Sequence, residues 1–385
     1  MWLPDFQTLA TLVLGLLILN LAANVLMLKR AAPTGEPGPL PSLSVLIPAR
    51  NEARNINRCL RSLLTQDYPA LEVVVLDDGS TDATPLIVRE WAKRDKRVRL
   101  VQGKDLPQGW MGKNFACHQL AEQARGEWLL FTDADTDHRQ NSLKWSVHAA
   151  QQNQADLLSL IPHTVMHSFG ERLILPIITF GLLVCLPLAV GERLRRPSLA
   201  MAIGPFMLFR RDAYRRIGGH RSVRSKVVED VALARQVRQS GGRVTLLDGT
   251  EHVKVHFYQG FREAWQGLAK SAFPALGGHT GLAALGVGLL ALLFIRPTAL
   301  LLQWLWQGVA PSDLLVPTLV QAFANSGLWY LVAQRFRLPR SVALLYPLTV
   351  LLTVLLLADS MWRSRVSGIP WKGRVYQLRG GTASR

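Results

Sequence analysis

The stretch Glu127–Asp137, EWLLFTDADTD, passes without a break from core material into acid. Its WLLFT half has the apolar and aromatic composition of a buried strand. It then delivers Asp133, Asp135 and Asp137 on alternate positions. On an extended chain, side chains two apart point the same way, so three like charges would crowd one another. An oxygen-loving divalent ion such as Mg²⁺ or Mn²⁺ would relieve that repulsion and could clamp a diphosphate. Asp is equally at home in turns, so the motif alone leaves both readings open.

Other strands end in the same manner. LSVLIPARNEA (43–53) reads as a strand running into a loop that carries Pro48, Ala49, Arg50 and Glu52, and LEVVVLDDGSTD (71–82) as a strand ending in Asp77 and Asp78. RVRLVQG (97–103) and ADLLSLI (155–161) are further strands, while residues 54–64, 83–94 and 114–125 read as helices. Strands alternating with helices predict an α/β fold with a Rossmann-like, mostly parallel sheet covered on both faces. Ligands of such sheets sit beyond the carboxyl ends of the strands, where these acidic loops fall. A carboxylate there can accept hydrogen bonds from a ribose or a base. No G-x-G-x-x-G follows the first strand, so a nucleotide is expected and a dinucleotide is not.

The chain has 385 residues, with 44 Lys and Arg against 27 Asp and Glu, a formal charge of +17, and half of its residues hydrophobic. The basic residues lie between apolar segments without forming a dense stripe, which argues for a membrane face and against nucleic acid. Gln7–Leu28 carries no charge and is long enough to span a bilayer, and Lys29 and Arg30 follow at once. The positive-inside rule puts the following domain in the cytoplasm, at the inner (plasma) membrane. A cleaved signal peptide would have a basic start and a shorter apolar stretch. Cys59, Cys117 and Cys185 have neither disulfide-framework nor zinc spacing.

Residues 31–41 read as a Pro- and Gly-rich linker. The uncharged segment Leu173–Val190 is interrupted by Pro176 and Pro187, and a membrane-contacting hairpin over 171–193 is expected there. FREAWQGLAKSA, with Phe261, Trp265, Leu268 and Ala272 on one face, predicts an interfacial amphipathic helix over 259–276, or one simply packed on its domain. Spans are expected at Gly277–Ile295, Leu314–Val332 and Val342–Leu357, with Pro297–Val309 too short to cross by itself and a basic tail from 362.

SVLIPARNEA, VVVLDDGSTD, GKNFA, FTDAD and VVEDVALARQVRQSGGRV, in that order, resemble glycosyltransferase family 2 enzymes with the GT-A fold. The resemblance covers roughly 42–258 and implies a catalytic domain there, with an N-terminal anchor over 1–30 and membrane helices over 277–361. It implies that Pro48, Ala49, Arg50, Glu52, Asp77 and Asp78 hold the nucleotide and that Lys113 approaches its diphosphate. Asp133 and Asp135 would meet the donor sugar and a Mg²⁺ or Mn²⁺ ion, and Asp230, beside Glu229, would be the catalytic base. LPQGWMGKNFA, GPFMLFRR and WKGRVY are similar to bacterial glycosyltransferases of carotenoid and related terpenoid lipids, and to hopanoid-associated and glucosylceramide-type relatives. That implies a nucleotide-sugar donor such as UDP-glucose and a membrane-lipid acceptor; diacylglycerol, ceramide, hopanoid or polyprenyl phosphate are the alternatives.

The chemistry of these residues can also be read directly. VVED precedes a helical run, so Asp230 is either an N-cap or a base for a hydroxyl acceptor. Gly204 and Pro205 stand at a strand start, where backbone could line an acceptor site. Processive polymer synthases of the family carry Gln-x-x-Arg-Trp, whereas QGFREAW has two extra residues, leaving Arg262 a diphosphate contact and Trp265 on the acceptor side. A polyprenyl phosphate is already ionised and needs no strong base, so the Glu-Asp pair points to a hydroxyl. His163, His220 and His256 are candidates for metal or acceptor contacts or ordinary satisfied histidines. A nucleotidyltransferase would need a basic, Gly-rich first loop, and a transporter would need ionisable groups within its spans.

Overall fold

A computed structural model describes residues 5–30, 32–35, 38–366, 369–371 and 374–376. Helix α1 (Phe6–Arg30) is followed by β1 (Leu43–Ala49), α2 (Ile56–Leu64), β2 (Leu71–Asp77), α3 (Thr84–Arg94) and β3 (Val98–Gln102). Next come α4 (Gly112–Gln123), β4 (Trp128–Thr132), β5 (Thr136–His138), α5 (Ser142–Gln152), β6 (Leu157–Ile161) and β7 (His163–Thr164). Three short helices, α6 (Phe169–Ile174), α7 (Pro176–Phe180) and α8 (Leu188–Leu194), lead to β8 (Phe206–Arg210), α9 (Arg211–Arg216) and α10 (Glu229–Gln239). Strands β9 (Val244–Asp248) and β10 (Val253–Val255) precede α11 (Phe261–Ala275), α12 (Thr280–Leu290), α13 (Arg296–Gln307), α14 (Ser312–Arg335) and α15 (Val342–Val366).

The chain divides into two compact units, one of Leu26–Val165 and Leu188–Phe257, the other of Met1–Val25, Met166–Pro187 and Tyr258–Arg385. The first is built on a seven-stranded sheet in the order β3-β2-β1-β4-β8-β6-β9. Strands β1 to β4 run parallel, β8 is antiparallel to both neighbours, and β6 pairs parallel with β9. Alternate residues of each central strand feed opposite faces. Val45, Ile47, Val73, Val75 and Leu130 pack with Ile56, Leu60 and Leu63 of α2 and Val147 of α5. Leu46, Val74, Leu76, Leu129 and Phe131 pack with Cys117 and Leu120 of α4 and Leu233 and Val237 of α10. Burying each such side chain stabilises the fold by about 1.5–3 kcal/mol, which is why these strands read as continuous apolar runs. All five of these expected strands, and the one expected after Gly204 and Pro205, lie in this sheet. The sequence reading missed β9 and the small sheet β5-β10-β7, whose strands are only two to five residues long.

The second unit contains most of the apolar helices. Three of the described helices are long and apolar enough to cross a membrane: Phe6–Lys29, Thr280–Gln307 and Val342–Ser364. Residues 297–309, expected to stand apart as a short element, instead continue the helix from Thr280. The wide π turn Ala291–Ile295 sits just before Pro297, which has no N–H to donate to the preceding turn. The expected span Leu314–Val332 lies in α14 but does not reach that hydropathy. Its polar residues bond inside the unit: Gln321 donates to the Gln7 side-chain oxygen at 2.8 Å, and Asn325 to the Leu293 carbonyl at 2.8 Å.

Leu173–Val190 is not one straight helix, since α7 passes into a π turn at Gly181–Cys185 and stops before Pro187. The carbonyls left open at that stop are capped by side chains of α1. Asn24 donates to Leu183 and Leu186, and Asn20 to Val184. Met166–Pro187 belongs to the helical unit and not to the sheet unit. Helix α11 packs along α15, where Trp265 Nε1 donates to Asp359 at 2.7 Å and the Phe273 N–H to Ser360 Oγ at 2.9 Å. The expected basic tail falls largely outside the described residues.

Candidate active site

The loop after β1 and the loop after β2 are tied together by their own polar groups. The Asp78 N–H donates to the Ala49 carbonyl, Asn51 N–H to Ser80 Oγ, Glu52 N–H to Thr84 Oγ1 and Ala53 N–H to Asp82, at 2.8–3.0 Å. The Arg50 guanidinium donates to the Asp78 carbonyl. Asp77 is buried, with its carboxylate accepting from Ser80 N–H at 3.1 Å and Gln102 Nε2 at 2.9 Å. Pro48 pairs with Leu76 in the β1–β2 register, and Ala49 with Asp77. Pro48, Ala49, Arg50, Glu52, Asp77 and Asp78 are therefore gathered on one rim. Gly79 adopts φ +70° there, a turn conformation that a Cβ would strain.

The crowded acids of β4 are resolved by a turn and a lysine. The chain leaves the extended conformation after Thr132, and the Thr136 N–H and hydroxyl both donate to the Asp133 carbonyl. Asp133 and Asp135 thus do not share an extended strand, and Asp137 is carried into β5, opposite Lys254. Lys113, in the first turn of α4, lies 2.8 Å from Asp133 Oδ1 and 3.1 Å from Glu229 Oε1. Burial alone would lower its pKa, but these two carboxylates hold it well above the usual lysine range.

Asp230 completes the cluster. The N-cap of α10 is Val228, so Asp230 lies inside the first turn and the capping role does not apply. Its Oδ2 accepts from the Gly204 N–H at 2.9 Å and its Oδ1 from the Val231 N–H at 2.8 Å. Burial first, and the charge of Glu229 second, push its carboxyl up to about 7, against the two backbone N–H groups and Lys113. Gly204 occupies the centre: a Cβ there would lie 3.3 Å from Lys113 Nζ, 3.4 Å from Asp230 Oδ2 and 3.9 Å from Asp133 Oδ2. Pro205 follows in a turn closed by Phe206 N–H to Ile203 O, and Thr132 Oγ1 donates to the Pro205 carbonyl at 2.7 Å.

One structural residue of this site was not legible in advance. Asn114, next to Lys113, is buried and its Nδ2 donates to the carbonyls of Val223, Arg224 and Lys226 at 2.9, 3.2 and 2.9 Å. It fastens the segment leading to Glu229 and Asp230 onto the helix that presents Lys113. Its partners are over a hundred residues away, and GKNFA alone carries no sign of them.

Of the histidines, His256 donates its backbone N–H to the Asp135 carbonyl at 3.0 Å, and His163 lies in β7. His220 is a core residue. Its Nδ1 pairs with Tyr214 Oη at 2.7 Å, and burial lowers its pKa to about 3, so it stays neutral. Arg262 and Trp265 stand on α11 of the helical unit.

Among the described residues, no three His, Cys, Asp or Glu side chains gather into a metal cage. Asp133 and Asp135 do offer two carboxylates around one turn. Mg²⁺-like ions are typically held by one or two carboxylates together with substrate phosphates and water. The pair fits an ion arriving with a diphosphate and does not fit an all-protein site.

A mixed sheet with β8 antiparallel, polar loops after β1 and β2 and acids after β4 define the GT-A fold. The same architecture occurs in a mannosyltransferase from Pyrobaculum calidifontis solved in complex with GDP-Man and Mn2+, which aligns at a TM-score of 0.52 and 20% identity over 92% of this chain and 98% of that one. Residues 44–218 match the glycosyl transferase family 2 model, and this segment is a domain of that family. The chain is 30% identical over 242 residues to the 4,4'-diaponeurosporenoate glycosyltransferase of Staphylococcus aureus strain USA300, and 31% identical to that of bovine strain RF122 / ET3-1. These alignments cover 62% of this chain and 62% of the relatives, so the chain spans less than two thirds of their length.

Proposed function

We propose that this chain is a membrane-bound glycosyltransferase that moves a sugar, with inversion, from a nucleotide diphosphate such as UDP to an apolar lipid. Its donor side would face the cytoplasm. The observation that carries this reading is the meeting of Asp133, Lys113, Glu229 and Asp230 around Gly204. Asp77, Asp78 and the Pro48–Glu52 loop would hold the nucleotide, as strand-end carboxylates and backbone do in related sheets. Lys113 would leave its carboxylate partners in part to meet the diphosphate. Asp135 and Asp133 would hold Mg²⁺ or Mn²⁺, which when bound offsets charge on the departing diphosphate.

Asp230 would accept the proton of the attacking group. A base works best when its pKa lies near the working pH, and a value of about 7 meets that condition where an ordinary Asp would not. Its two backbone hydrogen bonds fix the carboxylate while leaving further lone pairs for an acceptor. The apolar helices support a membrane-dissolved acceptor, and the relatives' name supports a carotenoid or related terpenoid.

That name favours a second reading of the acceptor group, since a diaponeurosporenoate is a carboxylate, already ionised and in no need of a base. A hydroxyl acceptor predicts a rate that depends on Asp230 ionising; a carboxylate acceptor predicts none. Membranes containing the chain, incubated with labelled UDP-glucose and lipid extract, test the proposal. Label should enter a lipid, depend on Mg²⁺ or Mn²⁺, and vanish in Asp230→Asn while donor binding persists. Full turnover in that variant would remove Asp230 as base, and no lipid label with any sugar nucleotide would sink the reading.

A further inference from the structure

A cavity of about 370 Å³ lies at the end of the sheet opposite Asp133 and Gly204. There β4 begins and β8 ends, with Trp128 and Arg210 directly paired, whereas the catalytic residues flank Thr132 and Phe206 at the other end of the same two strands. With a rise of about 3.3 Å per residue the two ends are on the order of 13 Å apart, so the cavity is not part of the catalytic cluster.

Four arginines line it, Arg125, Arg210, Arg211 and Arg215, against the carboxylates of Glu127 and Asp212. Glu127 is already engaged, accepting from the N–H and hydroxyl of Ser42 at 3.3 and 3.2 Å. Arg211 is anchored by Nε, which donates to the Gly126 carbonyl at 2.5 Å, while its Nη2 is buried with no hydrogen-bond partner. Burial, and next the neighbouring charge of Arg215, hold the Arg211 guanidinium below its usual range. An anion seated in the cavity would offset the repulsion between Arg211 and Arg215.

We infer that this cavity binds a phosphate group. The lining carries an excess of two positive charges, which matches a phosphate monoester or inorganic phosphate, and guanidinium forks suit its oxygens. The inference stands apart from the catalytic reading, since it uses none of those residues. The phosphate can come from solution or from a lipid with a terminal phosphate headgroup.

Equilibrium dialysis of labelled inorganic phosphate against the full chain in phosphatidylcholine nanodiscs tests this at fixed ionic strength. One phosphate per chain should bind in the wild type and in Lys113→Gln. The double variant Arg210→Gln/Arg215→Gln, which changes two exposed side chains, should weaken binding at least about tenfold. Repeating the experiment in nanodiscs containing phosphatidic acid separates the sources. Displacement of the label assigns the cavity to lipid headgroups, and undiminished binding assigns it to free phosphate. Binding lost in Lys113→Gln but kept in the double variant would place the phosphate at the catalytic cluster and overturn the inference. So would no binding above that of chloride.

Discussion

Asp230 has a negative neighbour and a positive one, and removing each should move its proton affinity in opposite directions. Burial and Glu229 raise its pKa to about 7, while Lys113 works to lower it. A base that acts only when ionised gives kcat/KM a limb rising with pH through that value. In Glu229→Gln the like charge is gone and the limb should move to lower pH. In Lys113→Gln the attraction is lost, Glu229 is released from its ion pair, and the limb should move up. The size follows from the geometry around Gly204. Lys113 Nζ lies 3.3 Å and Asp230 Oδ2 3.4 Å from one point, so the two charges are no more than about 7 Å apart. At an effective dielectric constant of about 20 their attraction is then at least about 2.4 kcal/mol, or roughly 1.7 pH units or more. The assay is the initial rate of label transfer into extracted lipid across the neutral range, at constant ionic strength. Limbs that shift in the same direction, or not at all, would refute the assigned electrostatics. A wild-type rate with no limb near neutrality would favour a carboxylate acceptor.

Three further outcomes follow from the same geometry. Gly204→Ala should fold with a nearly unchanged melting temperature yet lose turnover by roughly tenfold or more, because its methyl meets Lys113 Nζ and Asp230 Oδ2; unchanged kinetics would show that this space is not used. Asp230→Asn should alter stability with a defined sign. The wild-type carboxyl, raised from 3.8 to about 7, contributes stability that is fully present below 3.8 and lost as pH rises through about 7. Relative to wild type the variant should therefore gain stability between those values, by no more than about 4 kcal/mol, as thermal unfolding in detergent would show. Asn114→Ala should cost about 1–3 kcal/mol by stripping a donor from three carbonyls, and should lower turnover more than donor binding.

The limits of reading this chain as sequence are visible in particular residues. Asp133, Asp77 and Asp78 were legible because each follows a strand whose apolar run announces both its identity and its end. Asp230 was legible as a carboxylate at a helix start, but whether it caps the helix or faces a site depended on Gly204, which reaches it across 26 residues of chain. The extended-chain picture of Asp133, Asp135 and Asp137 failed because a turn held by Thr136 intervenes. In the helical unit, Pro297 looked like a boundary, yet the π turn before it lets the helix continue.

The sequence by itself determined the alternation of strands and helices, the apolar helices, and the acidic strand ends. These are local consequences of burial periodicity and side-chain charge, and they need no knowledge of distant partners. Only the tertiary structure decided that Lys113 answers both Asp133 and Glu229, that Asn114 holds the approach to Asp230, and that four arginines share one cavity at the far end of β4. Those are distances between residues remote in the chain. They are set by how the sheet stacks its strands, and charge acts across such gaps only once burial has removed the intervening water.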